Sequence, residues 1–260
     1  MKKSSILIST LLIATVGLVG CGKTESKDLL SKIKSEGKIR IGTEGTYAPY
    51  TFHDKDGKLT GFDVEIAEEV SKRLGVKPEF IETKWDGMFA GLDAKRFDMV
   101  VNQVGIKADR QEKYDFSDPY IVSKAVLIVS TENTTIKKFE DLKGKKSAQS
   151  LTSNLFKIAE DNGAVIQPIE SFNQAIDLLT SKRVDATVND SLSYLDIKKQ
   201  KPNLAIKVVD EEGNAQPNAI LFNKGNKELV EAVNKALTDM KADGTYLKIS
   251  NKWFAADVSK

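Results

Sequence analysis

The segment Leu92-Asp-Ala-Lys-Arg-Phe-Asp-Met-Val-Val-Asn102 returns later in the chain as Leu179-Thr-Ser-Lys-Arg-Val-Asp-Ala-Thr-Val-Asn189, with Leu, Lys-Arg, Asp and Asn in register. Each copy reads as the end of a helix, a turn, and a short apolar run that finishes on Asn. A helix, a turn and a buried strand form the working unit of an α/β layer, so a chain that writes it twice is expected to build two α/β lobes. One repetition at this spacing is not a solenoid. The two strands run on into Gln103 and Asp190, which places both at the carboxyl ends of strands, where open α/β sheets take their ligands. A length of 260 residues with 40% hydrophobic residues supplies two small cores.

The first lobe is expected to open with the strand Lys38–Gly42, followed by a Gly- and Pro-punctuated loop, Thr43-Glu-Gly-Thr-Tyr-Ala-Pro-Tyr50, and a turn at His53-Asp-Lys-Asp-Gly57. His53, the sole histidine, falls in that turn and is expected to face solvent. Asp54 and Asp56 hint at a calcium loop, but the other ligand positions are missing and no metal is expected. Phe62, Ile66, Val70 and Leu74 form a helical stripe that Gly75 ends. A strand over Val76–Ile81 leads through Lys84-Trp-Asp-Gly87 into a short helix. Trp85 at that junction reads either as core or as a binding surface. The run Met99-Val-Val reads as a buried parallel strand, and the basic segment after Gly105 ends in Arg110. Arg110 can grip a carboxylate through two parallel hydrogen bonds, or it can pair with Asp109 or Glu112 on a solvated helix.

In the second lobe a helix is expected over Ile136–Leu142, then a strand over Gly144–Gln149. Ser150-Leu-Thr-Ser-Asn154 opens a helix whose free N–H groups, with the Thr152 and Ser153 hydroxyls, suit an anion; Ser153 also suits a plain helix cap. Strand and helix alternate through Val165–Ile169, Phe172–Lys182, Val184–Val188 and Ser191–Lys199. Ala219–Phe222 returns to the first lobe, and helices over Glu228–Lys241 and Gly244–Phe254 close the chain.

Residues 1–20 read as a signal peptide: a basic Met1-Lys-Lys start and an apolar stretch from Ile6 to Val19, too short for a typical membrane span. It ends in Leu18-Val-Gly-Cys21, which resembles a bacterial lipobox, so cleavage before Cys21 and lipidation of that residue are expected. Cys21 is the only cysteine, so the monomer has no internal disulfide. Residues 21–35 are taken as a tether with a first amphipathic turn near Leu29, Leu30 and Ile33. The formal net charge of +2 comes from Lys2 and Lys3; the remaining 37 basic residues match 37 acidic ones, which argues against nucleic acid as a partner.

Asn102-Gln-Val-Gly-Ile-Lys-Ala-Asp-Arg110 and Lys113-Tyr-Asp-Phe-Ser-Asp-Pro-Tyr120 together resemble the polar amino-acid-binding proteins (family 3) of bacterial ABC importers. Gly42–Tyr50, Gly61-Phe-Asp-Val64, Lys84–Met88 and Lys252–Val258 fit the same family. Ala148-Gln-Ser-Leu-Thr-Ser-Asn154 and Asn102-Gln-Val104 are most similar to its L-cystine-binding lipoproteins. The resemblance spans roughly residues 36 to 260. It implies a periplasmic-binding-protein-like type II α/β fold, two α/β lobes joined by a two-strand hinge around a ligand cleft, with 36–129 plus 219–260 in lobe one and 130–218 in lobe two.

The resemblance also implies the site. Arg110 would take the ligand α-carboxylate and Asp190 its ammonium, with Thr152 and Ser153 adding donors. Tyr47 and Trp85 would sandwich the side chain, and Glu44, Gln103, Lys107 and Gln149 would meet the distal end of a cystine. Many relatives carry a hydroxyl residue where Gly105 stands, so here only backbone is offered, with Lys107 near it. The implied protein is a monomeric, non-enzymatic, cofactor-free receptor, lipid-anchored on the outer face of the cell membrane, that hands an amino acid to an ABC permease. The alternatives are a receptor for glutamine, arginine or glutamate, and a cyclohexadienyl-dehydratase-like enzyme on the same fold.

Overall fold

The computed structural model describes residues 28–260, so the expected signal peptide, Cys21 and the first part of the tether lie outside the described residues. The Asp28 carboxylate accepts from the Ser31 N–H at 2.9 Å and caps helix α1 (Leu29–Glu36), which buries Ile33. Strand β1 (Lys38–Thr43) leads into three short strands, β2 (Thr46–Tyr47), β3 (Thr51–His53) and β4 (Leu59–Thr60), that form a small sheet of their own. Next come α2 (Phe62–Leu74), β5 (Lys77–Glu82), α3 (Trp85–Asp93), β6 (Met99–Gly105), α4 (Ala108–Lys113), β7 (Tyr114–Phe116) and β8 (Ile121–Ser123). The chain then runs through β9 (Ala125–Ser130), β10 (Lys146–Gln149), α5 (Asn154–Asp161), β11 (Val165–Pro168), α6 (Phe172–Thr180), β12 (Ala186–Asp190), α7 (Ser191–Gln200) and β13 (Ile206–Glu211). It returns on β14 (Gln216–Asn223) and closes with α8 (Lys227–Ala242) and α9 (Thr245–Phe254).

Two sheets organise these elements. The first has the order β5-β1-β6-β14-β7, with β8 also paired to β14; the second has the order β11-β10-β12-β9-β13. In each sheet three strands are parallel: β5, β1 and β6 in one, β11, β10 and β12 in the other. The first core packs Ile39, Ile41, Phe62, Ile66 and Val70 against Leu229, Val233 and Tyr246 of the closing helices. The second gathers Phe172, Ala175, Ile176 and Leu179 of α6 beneath Val126 and Ile128 of β9. Each fully buried Val, Leu, Ile or Phe among them contributes about 1.5–3 kcal/mol.

The repeated sequence unit is a repeated structure. Lys95 and Lys182 both take the left-handed backbone, at φ 57° and 60°, two residues past a helix end. Behind each, an arginine N–H closes the turn: Arg96 to Gly91 O at 2.9 Å and Arg183 to Leu178 O at 2.8 Å. Asp98 then accepts from the Arg40 N–H at 2.9 Å, and Asp185 from the Lys146 N–H at 2.8 Å, tying β6 to β1 and β12 to β10 in the same way. The stripe expected over 62–74 is α2 to the residue, stopped by Gly75 at φ 77°.

Sheet membership moves the expected lobe boundaries. Residues 125–130 belong to the second sheet, because Ala125 pairs with Asp190 and Val129 with Ala186. The chain therefore crosses at Lys124, and it crosses back between Glu211 and Gln216. Backbone pairing decides this, and an apolar strand reads the same in either sheet. Helix α1 packs on the first lobe, so the tether reading does not extend through residues 28–35. Only Phe139–Leu142 of the helix expected over 136–142 forms, as a single 3-10 turn. Strand β13 had no expectation; its half-buried residues alternate too weakly to announce it.

Candidate functional site

The two sheets point the carboxyl ends of β6 and β12 at each other, and a small cavity of about 60 Å³ lies between them. The twin asparagines at those strand ends organise its walls. Asn102 Nδ2 donates to Glu44 Oε2 at 2.7 Å while its Oδ1 accepts from the Glu44 N–H at 2.8 Å, which locks Glu44 onto the first lobe. Asn189 Oδ1 accepts from the Tyr47 hydroxyl at 3.0 Å and so joins the lobes. Further bonds cross the cleft. The Tyr50 hydroxyl donates to Asp190 at 2.5 Å, and Asp86 Oδ1 accepts from both the N–H and the hydroxyl of Thr152, at 3.0 and 2.8 Å. Lys84 pairs with Glu170 at 2.5 Å. The cleft is closed.

Arg110 is buried, with 7% of its surface exposed. Its guanidinium donates to the carbonyls of Gly105 at 2.9 Å and Thr152 at 3.1 Å, and it lies over the rings of Phe89 (5.1 Å) and Trp85 (5.7 Å). Among the described residues no carboxylate stands within ion-pair distance of it, and burial pushes its pKa down. Two of its five N–H groups meet the carbonyls, which leaves three for a carboxylate. Burial also raises the acids. Glu44 is pushed up to about 7, partly offset by its bond from Asn102. Asp190 is likewise raised by burial, offset by the Ser123 and Tyr50 hydroxyls and the N–H groups of Leu192 and Ser193. Asp190 thus caps α7 as well. A burial that raises acids and lowers an arginine suits ligand groups that bring the missing opposite charges.

The predicted residues divide into two groups. Glu44, Tyr47, Trp85, Gln103, Gln149 and Ser153 line the cavity. Ser153 also caps α5, accepting from the Phe156 N–H at 2.9 Å, so both readings of it hold. Arg110 lines neither this cavity nor the smaller one beside it; its guanidinium lies over the Trp85 ring. Asp190 lines a smaller adjoining cavity, together with Tyr47, Gln103, Ser123 and Asn154. Thr152 is exposed, and its two donors go to Asp86 in this closed arrangement. Gly105 contributes its carbonyl to Arg110. A side chain there would stand 3.5–3.6 Å from Asn218 and Asn154, so the space is open to one. Lys107 reaches Gln216 at 3.5 Å and is outside both cavities.

Sequence reasoning missed Asn154, Ser150, Ser171, Phe172 and Thr187, all in the cavity wall, and the latch residue Asp86. Asn102 and Asn189 were legible from the repeat as strand ends, but their grip on Glu44 and Tyr47 was not. Two buried atoms of wall residues have no hydrogen-bond partner among the described residues: the donor Trp85 Nε1 and the acceptor Gln103 Oε1. A buried polar atom left alone is costly, so a ligand with both an acceptor and a donor suits this wall. Among the described residues no group of three His, Cys, Asp or Glu is placed to hold a metal ion, and no helix is long and apolar enough to cross a membrane.

Residues 39–256 match the profile of bacterial extracellular solute-binding proteins, family 3. The L-cystine-binding protein TcyA of Bacillus subtilis is 49% identical over 268 residues, covering 99% of this chain and all of that protein. Among solved structures, an ancestral arginine-binding protein bound to arginine is 42% identical, with a TM-score of 0.80 over 84% of this chain and 98% of that one. The L-cystine solute receptor of Neisseria gonorrhoeae, unliganded and open, is 46% identical but superposes at 0.61, over 90% of this chain and all of that one. The lower score at the higher identity agrees with the closed cleft seen here.

Proposed function

Since the chain belongs to the bacterial extracellular solute-binding proteins of family 3, we propose that it is the lipid-anchored receptor of an amino-acid ABC importer. Its ligand is L-cystine, which it delivers to a permease in the membrane. The observation that carries the choice of ligand is the end-to-end likeness to TcyA, 49% identical over 99% of this chain. The chemistry of the cleft supports it. A zwitterion leaves water only where each charge finds a partner. Arg110 is a buried cation with no carboxylate partner among the described residues, and Asp190 and Glu44 are carboxyls held at elevated pKa. The aromatic faces of Tyr47 and Trp85 suit the disulfide link of cystine, where contact between sulfur and a ring is favourable.

Binding groups sit on both lobes, so ligand bridges them and favours the closed state. Calorimetric titration of residues 22–260 with L-cystine, then with cystine fully reduced to cysteine, tests the assignment. Cystine should bind much more tightly than cysteine, glutamine or arginine. Equal affinity for glutamine, or unchanged affinity after reduction, would leave a general amino-acid receptor. Anchoring is tested by fatty-acid labelling, which Cys21→Ala should abolish.

A further inference from the structure

The Gly61-Phe-Asp motif has no part in the site described so far, yet it reaches it. Gly61 has a φ of 133°, and a Cβ there would stand 2.1 Å from Tyr50 O, so only glycine lets the start of α2 close against that backbone. The Phe62 and Asp63 N–H groups then bond to Pro49 O and Tyr50 O, both at 2.9 Å, and Asp63 is turned into the protein with 1% exposure. There its carboxylate accepts from the Gln103 N–H at 2.9 Å and from Gln103 Nε2 at 2.7 Å. The Tyr120 hydroxyl is a third donor to it. Gln103 itself stands at φ 52°, a backbone region that costs a side-chain-bearing residue energy and that persists at functional sites when the surroundings enforce it.

We propose that Asp63 is a positioning residue that sets the hydrogen-bonding polarity of the cleft wall: by holding the Gln103 amide nitrogen it turns Gln103 Oε1 to the cavity as an acceptor for the ligand's ammonium group. The side-chain amide of glutamine can present either end, and its two faces are sterically alike. In its ionised form, which the two bonds from Gln103 favour, the Asp63 carboxylate has no proton to donate, so it removes the choice. What is left on this cavity-lining residue is Oε1, which is buried and has no partner among the described residues. Burial lifts the Asp63 carboxyl to about 7, opposed by the bonds from Gln103 and Tyr120.

The inference rests on the amino-acid receptor reading, and its test separates the two. Asp63→Asn has one acceptor and one donor. With its oxygen kept on the Gln103 N–H, its NH2 would demand the Gln103 oxygen, and the flipped amide would present a donor to the ligand. Three measurements follow. In unliganded wild type, the Gln103 side-chain NH2 resonances should be protected from solvent exchange, and Asp63→Asn should remove that protection; an unprotected wild-type amide overturns the proposal without any ligand. In calorimetry, Asp63→Asn should weaken L-cystine binding by roughly tenfold to a hundredfold, the scale of a hydrogen bond to a charged group. In a Gln103→Gly background, where glycine accepts the same φ, Asp63→Asn should change affinity less than twofold. An equal loss in both backgrounds would mean Asp63 acts on the fold alone and would overturn the positioning role. If wild type binds neither cystine, glutamine nor arginine, the receptor reading fails while the exchange result still decides the geometry.

Discussion

Replacing Arg110 by Met keeps the length of the side chain and removes its charge, and the structure separates the two consequences. In the unliganded chain two charge-assisted bonds, to Gly105 O and Thr152 O, are lost, each contributing about 1.5–3 kcal/mol. The contacts over Phe89 and Trp85 add about 0.5–2 kcal/mol. Against this, a guanidinium with 7% exposure and no carboxylate partner among the described residues no longer has to be desolvated, a saving of several kcal/mol. The terms nearly cancel, so unliganded stability in urea should fall by no more than about 2 kcal/mol. Binding has no such compensation. The ligand carboxylate would enter a buried site with its cation gone, which costs about 2–5 kcal/mol, or roughly 30- to 5,000-fold in affinity. Arg110→Lys should recover part of that loss, because a point charge returns without the planar fork. Calorimetric titration alongside urea unfolding gives both numbers. A Kd for Arg110→Met within about threefold of wild type would remove Arg110 from the site.

Asp190→Asn should weaken binding on the same scale and, unlike Arg110→Met, lower unliganded stability by about 1–2 kcal/mol, since the Tyr50 and Ser123 hydroxyls and the first N–H groups of α7 lose their carboxylate. Urea unfolding without ligand distinguishes the two variants. Asp86→Ala removes both cleft-spanning bonds from Thr152 and should shift the unliganded ensemble toward the open form, read as a larger lobe separation by small-angle scattering. Lys84→Met, which breaks an exposed pair, should change the same quantity little, because such pairs are worth about 0–1 kcal/mol. For Glu44 the folded carboxyl lies near 7 against an ordinary 4.5, so the folded chain holds a proton that the unfolded chain has released. Its contribution to unliganded stability therefore falls as pH rises from 4.5 to 7, and Glu44→Gln should lack that slope. A ligand ammonium favours the ionised form, so wild-type affinity should drop as pH falls below about 7, and the profile of Glu44→Gln should be flatter. Titrations from pH 5 to 8 show whether the profiles differ; coincident profiles would exclude Glu44 as a partner of the ammonium.

The sequence by itself determined the fold class and most of the elements, because those follow from local periodicity and punctuation. The stripe from Phe62 to Leu74 with Gly75 behind it is α2, and the repeated Lys-Arg-x-Asp turn builds β6 and β12 alike, down to the left-handed Lys95 and Lys182. The same logic brought Gln103 and Asp190 to strand ends at the cleft. What it could not reach were relations between segments far apart in the chain. Strand β9 is apolar enough for either sheet, and only its pairing with β12 puts it in the second lobe. The donors of Thr152 were legible, but not that Asp86 takes them, since that bond joins residues 66 apart across the cleft. The motif Gly61-Phe-Asp was visible as a motif, yet nothing local says that Asp63 meets Gln103, 40 residues on. Periodicity encodes which face of an element is buried; which polar group it meets there is decided when the sheets assemble, because a buried hydrogen bond depends on a distance that the sequence does not carry.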